Sequence, residues 1–226
     1  MARHMRHYLD LLGLAHRSWS RDSKVSLPPD QWLSECPVIL ILVSDDAIHS
    51  VAGTFSPQGV SSLVHFSGRV VTPLAAGMHP LSTFGDDLYN AEVYRTIPFI
   101  TERGGIPFGT AFPSLPNPHH AIDPALKPLY HTLAVLAGNF TTAVWHKLFT
   151  TFEERLALPR DVAIPYLHQI ARNVERSADR ALTGPIPRRD RETIADNLAA
   201  LEGDPYRDVY EAFVRAMAPD LLPESP

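Results

Sequence analysis

Six consecutive apolar residues, Val38-Ile39-Leu40-Ile41-Leu42-Val43, stop abruptly at the polar cluster Ser44-Asp45-Asp46. A run that never alternates cannot leave one face in water. It predicts a strand covered on both sides, as in a parallel sheet between helices. Ser44-Asp45-Asp46 supplies a cap and the favourable charge for a following helix that buries Ile48, Val51 and Ala52. Ser62-Leu63-Val64-His65-Phe66 predicts another strand, broken at Ser67-Gly68, and Ile97-Pro98-Phe99-Ile100 a last, short one. Upstream, Met5, Tyr8, Leu9 and Leu12, closed by Gly13, mark an amphipathic helix over 2–13. Leu14–Arg21 reads as a short strand and Pro28-Pro29-Asp30 as the start of a short helix. This alternation is the doubly wound α/β pattern. Its usual opening strand and Gly-rich turn are missing before the first helix. About ten residues of strand ending in a G-x-G-like turn are therefore expected upstream of Met1.

The composition then shifts. Pro107, Pro113, Pro116, Pro118, Pro124 and Pro128 crowd the stretch from Gly104 to Pro128, which also carries His119-His120. Residues 111–128 are read as a Pro-rich connection between an α/β domain over 1–110 and an all-α domain over 129–226. In the latter, helices are expected over Leu129–Leu156, Arg160–Ala178, Asp190–Glu202 and Asp204–Met217.

Charge and composition exclude several functions. With 20 Lys and Arg against 25 Asp and Glu, the net charge of −5 argues against a nucleic-acid partner. The longest apolar run is far short of the ~20 residues that cross a bilayer, and no signal peptide opens the chain, so a cytoplasmic protein without membrane association is expected. The single Cys36 allows no internal disulfide and reads as a small buried apolar residue. The 11 His residues include no H-E-x-x-H or comparable ligand spacing, so no metal site is expected.

Three places have the residues for chemistry. His131, Val135 and Asn139 recur at helical spacing, pairing a titratable imidazole with an amide that can orient a carbonyl. Ser67-Gly68 lies at the carboxyl edge of the expected sheet, where α/β folds bind ligands. His79, held extended by Pro80, can project into the same cleft. The third place is Ala181-Leu182-Thr183-Gly184-Pro185-Ile186-Pro187-Arg188-Arg189-Asp190. Here Thr183, Gly184 and Arg188 bring a hydroxyl, backbone N–H groups and a guanidinium together, as binding an anion requires. The plainer reading of that stretch is a helix stop at Gly184-Pro185 and a restart capped by Asp190.

Taken in order, Ser44-Asp45-Asp46-Ala47-Ile48, His65-Phe66-Ser67-Gly68, His79-Pro80-Leu81-Ser82-Thr83-Phe84, Tyr130-His131 with Asn139-Phe140, and the Thr183-Gly184-Pro185 turn resemble a Rossmann-like family. Its C-terminal part is named domain of unknown function 2520. In layout that family is similar to pyrroline-5-carboxylate reductase and to the 3-hydroxyisobutyrate and 6-phosphogluconate dehydrogenases. The chain departs from the family's pattern at Arg189, where Gly is usual, and at Asn197, where His is often seen.

The resemblance implies an N-terminal NAD(P)-binding domain and a C-terminal helical domain of the 6-phosphogluconate dehydrogenase type that mediates homodimer formation. It further implies an oxidoreductase that reduces a carbonyl or imine of a small acidic metabolite. His131 and Asn139 are the expected catalytic pair, and Ser44, Asp45, Ser67, Gly68 and His79 the expected cofactor contacts. Thr183, Gly184 and Arg188 would hold the substrate, in one pocket with the catalytic pair. Ser20-Arg21 stands where such sheets place an acid for the ribose 2′-hydroxyl; an Arg there favours NADP over NAD. The alternative is a non-catalytic dinucleotide- or metabolite-binding protein.

Overall fold

The computed structural model describes residues 1–20, 35–55 and 62–222. Two compact units make up the chain, Met1–Trp145 and His146–Pro226.

The first unit opens with helix α1 (Ala2–Leu11), which buries His4, Met5 and Tyr8. Strand β1 (Ile39–Ile41) lies within the long apolar run, and α2 (Asp45–Phe55) follows with Ile48, Ala52 and Phe55 buried. Strands β2 (Leu63–His65) and β3 (Ala76–Pro80) come next, then α3 (Ala91–Thr96), capped by the Asn90 side chain. Strand β4 (Phe99–Glu102), helix α4 (Phe108–Ala111) and strand β5 (His119–Ile122) complete the sheet. Among the described residues the sheet has five strands in sequential order: β1, β2 and β3 are parallel, β4 is antiparallel to β3, and β5 is parallel to β4.

Neighbouring positions on a strand face opposite sides, and the core divides accordingly. Leu63 and Ile41 pack with Ile48, Ala52 and Phe55 of α2, whereas Val64 and Met78 pack with Met5 and Tyr8 of α1 and with the aromatic rings Phe66, Phe99, Phe108 and Phe112. This two-sided cover is what the unbroken apolar run required. Val64 and Met78 are fully buried, each contributing about 1.5–3 kcal/mol by the usual area scaling. Beneath α1 the buried polar groups pair with one another: His4 Nδ1 lies 2.8 Å from the Tyr94 hydroxyl, and the Tyr8 hydroxyl donates to Asn117 Oδ1 at 2.7 Å. Asn117 in turn donates to the Tyr94 and Ile97 carbonyls.

Four expectations need correction, and a fifth falls outside the described residues. Residues 14–20 are not a strand, and the described sheet begins with β1 at Ile39. The helix expected at Pro28-Pro29-Asp30 lies outside the described residues. The Pro-rich stretch is more than a connection, because β5 extends the sheet and the first unit runs on to Trp145. β5 was hidden because its exposed residues show no apolar alternation, and Ile97–Ile100 is accordingly not the last strand. Cys36 is half-buried rather than fully enclosed.

After Asp123, which caps a short 3-10 turn, comes α5 (Lys127–Val135), which passes through a π-helical turn (Leu136–Phe140) into α6 (Thr141–Arg155). The expected long helix is therefore present with one wider turn in it.

In the second unit, a 3-10 turn (Arg160–Ala163) leads into α7 (Ile164–Arg176), and α8 (Ala178–Ala181) and α9 (Pro185–Arg188) are single turns. Helices α10 (Arg191–Ala200) and α11 (Tyr206–Met217) enclose Ile194, Leu198, Val214 and Leu221. The fold is thus a Rossmann-like mixed sheet followed by helices. No helix among the described residues is long and apolar enough to cross a membrane.

Candidate functional site

The carboxyl edge of β2 is shaped by its last residue and the turn after it. His65 is fully buried, and its Nδ1 accepts the Ser67 N–H at 3.2 Å. The imidazole proton therefore resides on Nε2, which has no partner among the described residues. Burial first, and then the charge of Lys127, lower the His65 pKa to about 4, so the ring is neutral at pH 7. Ser67 Oγ accepts from the Arg69 and Val70 N–H groups at 3.2 and 3.0 Å. This tight turn holds Gly68 against the imidazole of His131. A Cβ at Gly68 would lie 3.2 Å from Cγ and Cε1 of that ring and collide with Nδ1. The His131 Nδ1 is itself buried without a partner among the described residues. Buried polar atoms are rarely left so, and here two of them flank the Ser67-Gly68 turn, one on the strand that leads into it and one on the ring packed against Gly68.

Helix α5 builds the opposite wall. Lys127, Tyr130 and His131 fall at i, i+3 and i+4, hence on one face. Lys127 is buried; its ammonium donates to Glu102 Oε1 at 2.6 Å and to the Val70 carbonyl at 2.5 Å. Gly77 makes room for that pair, since a Cβ there would strike both Nζ and Oε1. In the register of β2 and β3, His65 pairs with Gly77, so His79 continues beyond the end of β2 toward the same edge. Its Nδ1 lies 2.7 Å from the Tyr130 hydroxyl, and its ring centroid 5.8 Å from that of His131. Burial, helped by His131 and Lys127, lowers His79 to about 4, while burial raises Tyr130 to about 12. At neutral pH the phenol keeps its proton and the imidazole is neutral, so the two share one uncharged hydrogen bond. The edge thus offers neutral imidazoles and a phenol, groups able to pass a proton or hold a carbonyl oxygen.

The structure brings Ser67, Gly68, His79 and His131 together. The other expected site residues are placed as follows. Ser44 is exposed just before α2, and Asp45 and Asp46 in its first turn pair with Arg69, Asp45 at 3.1 Å. Ser20 is exposed, and Arg21 lies outside the described residues. Asn139 is exposed within the π-helical turn, whose wider pitch breaks the simple helical spacing from His131.

In the second unit Gly184 adopts a positive φ of 88° before α9, and Arg189 closes that turn in the left-handed region. Thr183 and Arg188 are exposed, Arg188 3.7 Å from Asp190. Asp190 caps α10 by accepting the Thr193 N–H at 3.0 Å, as the plainer reading of this stretch expects. Asn197 donates to the Tyr210 hydroxyl at 2.9 Å.

Sequence reasoning missed Lys127, Glu102 and the role of Tyr130. Lone charges at the end of a strand and the start of a helix look like surface residues. One signal was available: Lys127 precedes His131 by one helical turn.

Comparison with known proteins places the chain among relatives. Residues 109–217 match the family described as Domain of unknown function (DUF2520). A solved structure named "putative NADP oxidoreductase BF3122", from Bacteroides fragilis, superposes with a TM-score of 0.73 at 21% identity, covering 96% of this chain and 93% of that one. Protein TM1727 from Thermotoga maritima superposes with a TM-score of 0.63 at 25% identity, covering 80% of this chain and 76% of that one. No curated protein matches.

Proposed function

We propose that this Rossmann-like protein with its C-terminal domain of unknown function is an NADP-preferring oxidoreductase that reduces the carbonyl or imine of a small acid. One observation carries the reading: the His131 ring packs on Gly68 at the carboxyl edge of parallel strands, with His79 and Tyr130 hydrogen-bonded beside it. That edge is where such sheets bind their ligands.

The residues fit a nicotinamide at this edge. Two polar atoms await a partner there: His65 and His131 each hold a buried nitrogen with no partner among the described residues. Ser67, Gly68 and His79 would line the cofactor, with Ser44 and Asp45 at the same sheet edge and Ser20 and Arg21 toward the ribose. When bound, NADPH supplies the hydride. The protein's own part would be the proton, which His131 would deliver to the oxygen or nitrogen of the substrate while Asn139 would orient that group. The His79–Tyr130 pair stays neutral and holds the polar end of the site.

A homodimer belongs to this proposal. Leu129, Leu133, Leu136, Phe140 and Val144 repeat every three or four residues along the long helix and are all between 41% and 57% exposed. An apolar stripe of this kind is the material of a helix–helix interface.

Thermal-shift measurements with NADPH and NADH, followed by single-turnover absorbance with 2-oxo acids and cyclic imino acids, test the function. Stabilisation by NADPH over NADH with oxidation on adding substrate is expected. Stabilisation without oxidation would favour the non-catalytic binder, and no stabilisation by either would refute both.

A further inference from the structure

Lys127 is a cation buried beside the candidate site. It is 2% exposed, yet it carries a charge and makes no contact with solvent that would explain keeping it. Removing an ammonium from water costs several kcal/mol, and a buried ion pair often does no better than apolar residues of the same volume. Stability is therefore a poor explanation for its presence. Its three connections are more telling. The side chain begins on the helical turn that carries Tyr130 and His131, reaches Glu102 at the end of β4, and takes the Val70 carbonyl in the turn that carries Ser67 and Gly68. The contact of Gly68 with His131 joins the same turn to the same helix.

We infer that Lys127 is a positioning residue, whose ammonium ties the Ser67–Val70 turn and the Tyr130-His131 helical turn to the sheet so that His131 is held against Gly68. The inference rests on the oxidoreductase reading for its meaning, but its geometry does not. The same charge acts on the imidazoles. Lys127 is among the groups that disfavour a proton on His65 and on His79, opposed by Glu102 and Asp45 at His65 and by Asp45 at His79, with His131 adding to the effect at His79. A residue that only filled space would do neither.

The test follows histidine and glycine signals by NMR in the full chain, without turnover. In the wild type His79 should titrate near pH 4, and a through-space contact should join Gly68 Hα to His131 Hε1. Lys127→Met should move the His79 midpoint up by about one pH unit, in the range of a nearby charge, and weaken the Gly68–His131 contact. Lys127→Met leaves Glu102 uncompensated, so Lys127→Met/Glu102→Met, with no buried charge remaining, is the second variant. Because the opposing carboxylate leaves with the ammonium, a smaller upward shift and the same weakening of the Gly68–His131 contact are expected. An unchanged His79 midpoint with the contact retained would overturn the inference. Failure of the double variant to fold would also overturn it, by assigning the pair to stability alone. Because neither readout uses NADPH or substrate, an inactive protein leaves this test standing.

Discussion

The imidazole of His131, on the first turns of the long helix, lies against the backbone of Gly68, just past the end of a parallel strand, with no room for a Cβ between them. Gly68→Ala should therefore destabilise the fold by about 1–3 kcal/mol, the usual cost of overpacking a close-packed contact. His131→Ala should relieve most of that loss. A double-mutant cycle by urea unfolding checks this, and strictly additive effects would show that the two residues do not press on each other.

Acid should unfold the protein through its buried imidazoles. His65 and His79 are lowered from 6.5 to about 4, in both cases chiefly by burial. Unfolding restores the ordinary value, so between pH 6.5 and 4 the unfolded chain binds more protons than the folded one. Stability is then complete above 6.5 and declines as the pH falls through that window, by at most roughly 1.4 kcal/mol per pH unit for each ring. Urea unfolding from pH 7 to 4 measures it. His65→Asn and His79→Asn, if they fold, should each flatten the slope.

Removing the proposed proton donor should leave binding in place. His131→Ala is expected to lower turnover by ~10²–10⁴-fold while NADPH affinity stays within a few-fold, as for a proton-transfer group. Equal loss of affinity and rate would make His131 a structural residue of the pocket.

Much of the architecture was legible because it rests on local pattern. The unbroken Val38–Val43 run required two covered faces, and α1 and α2 supply them. Met5 and Tyr8 at helical spacing, and Asp190 ahead of Thr193, were likewise read from neighbours in sequence. β3 and β5 escaped notice for the converse reason. His79-Pro80 and His119-His120 show no strand periodicity, and they are strands because β4 lies between them to be paired with. At the candidate site, Gly68, His79 and His131 could be singled out by residue type. Lys127 and Glu102 could not, because a charge becomes a buried partner only through contacts made across the sheet.

The exposed stripe on the long helix gives a prediction about assembly. Leu133 and Phe140 are 55% and 52% exposed, and a homodimer through this helix would cover them. Light scattering at micromolar concentration should give a dimer for the wild type and a monomer for Leu133→Glu/Phe140→Glu. A wild-type monomer would remove the dimer from the account.

The central claim is that the edge where His131 meets Gly68 receives the nicotinamide cofactor, and NMR titration of the protein with NADPH tests it most directly. The account predicts saturable shifts of the Gly68 amide and of the His131 and His79 ring signals, larger with NADPH than with NADH at equal concentration. Saturable binding of NADPH that leaves those three residues unmoved would contradict it.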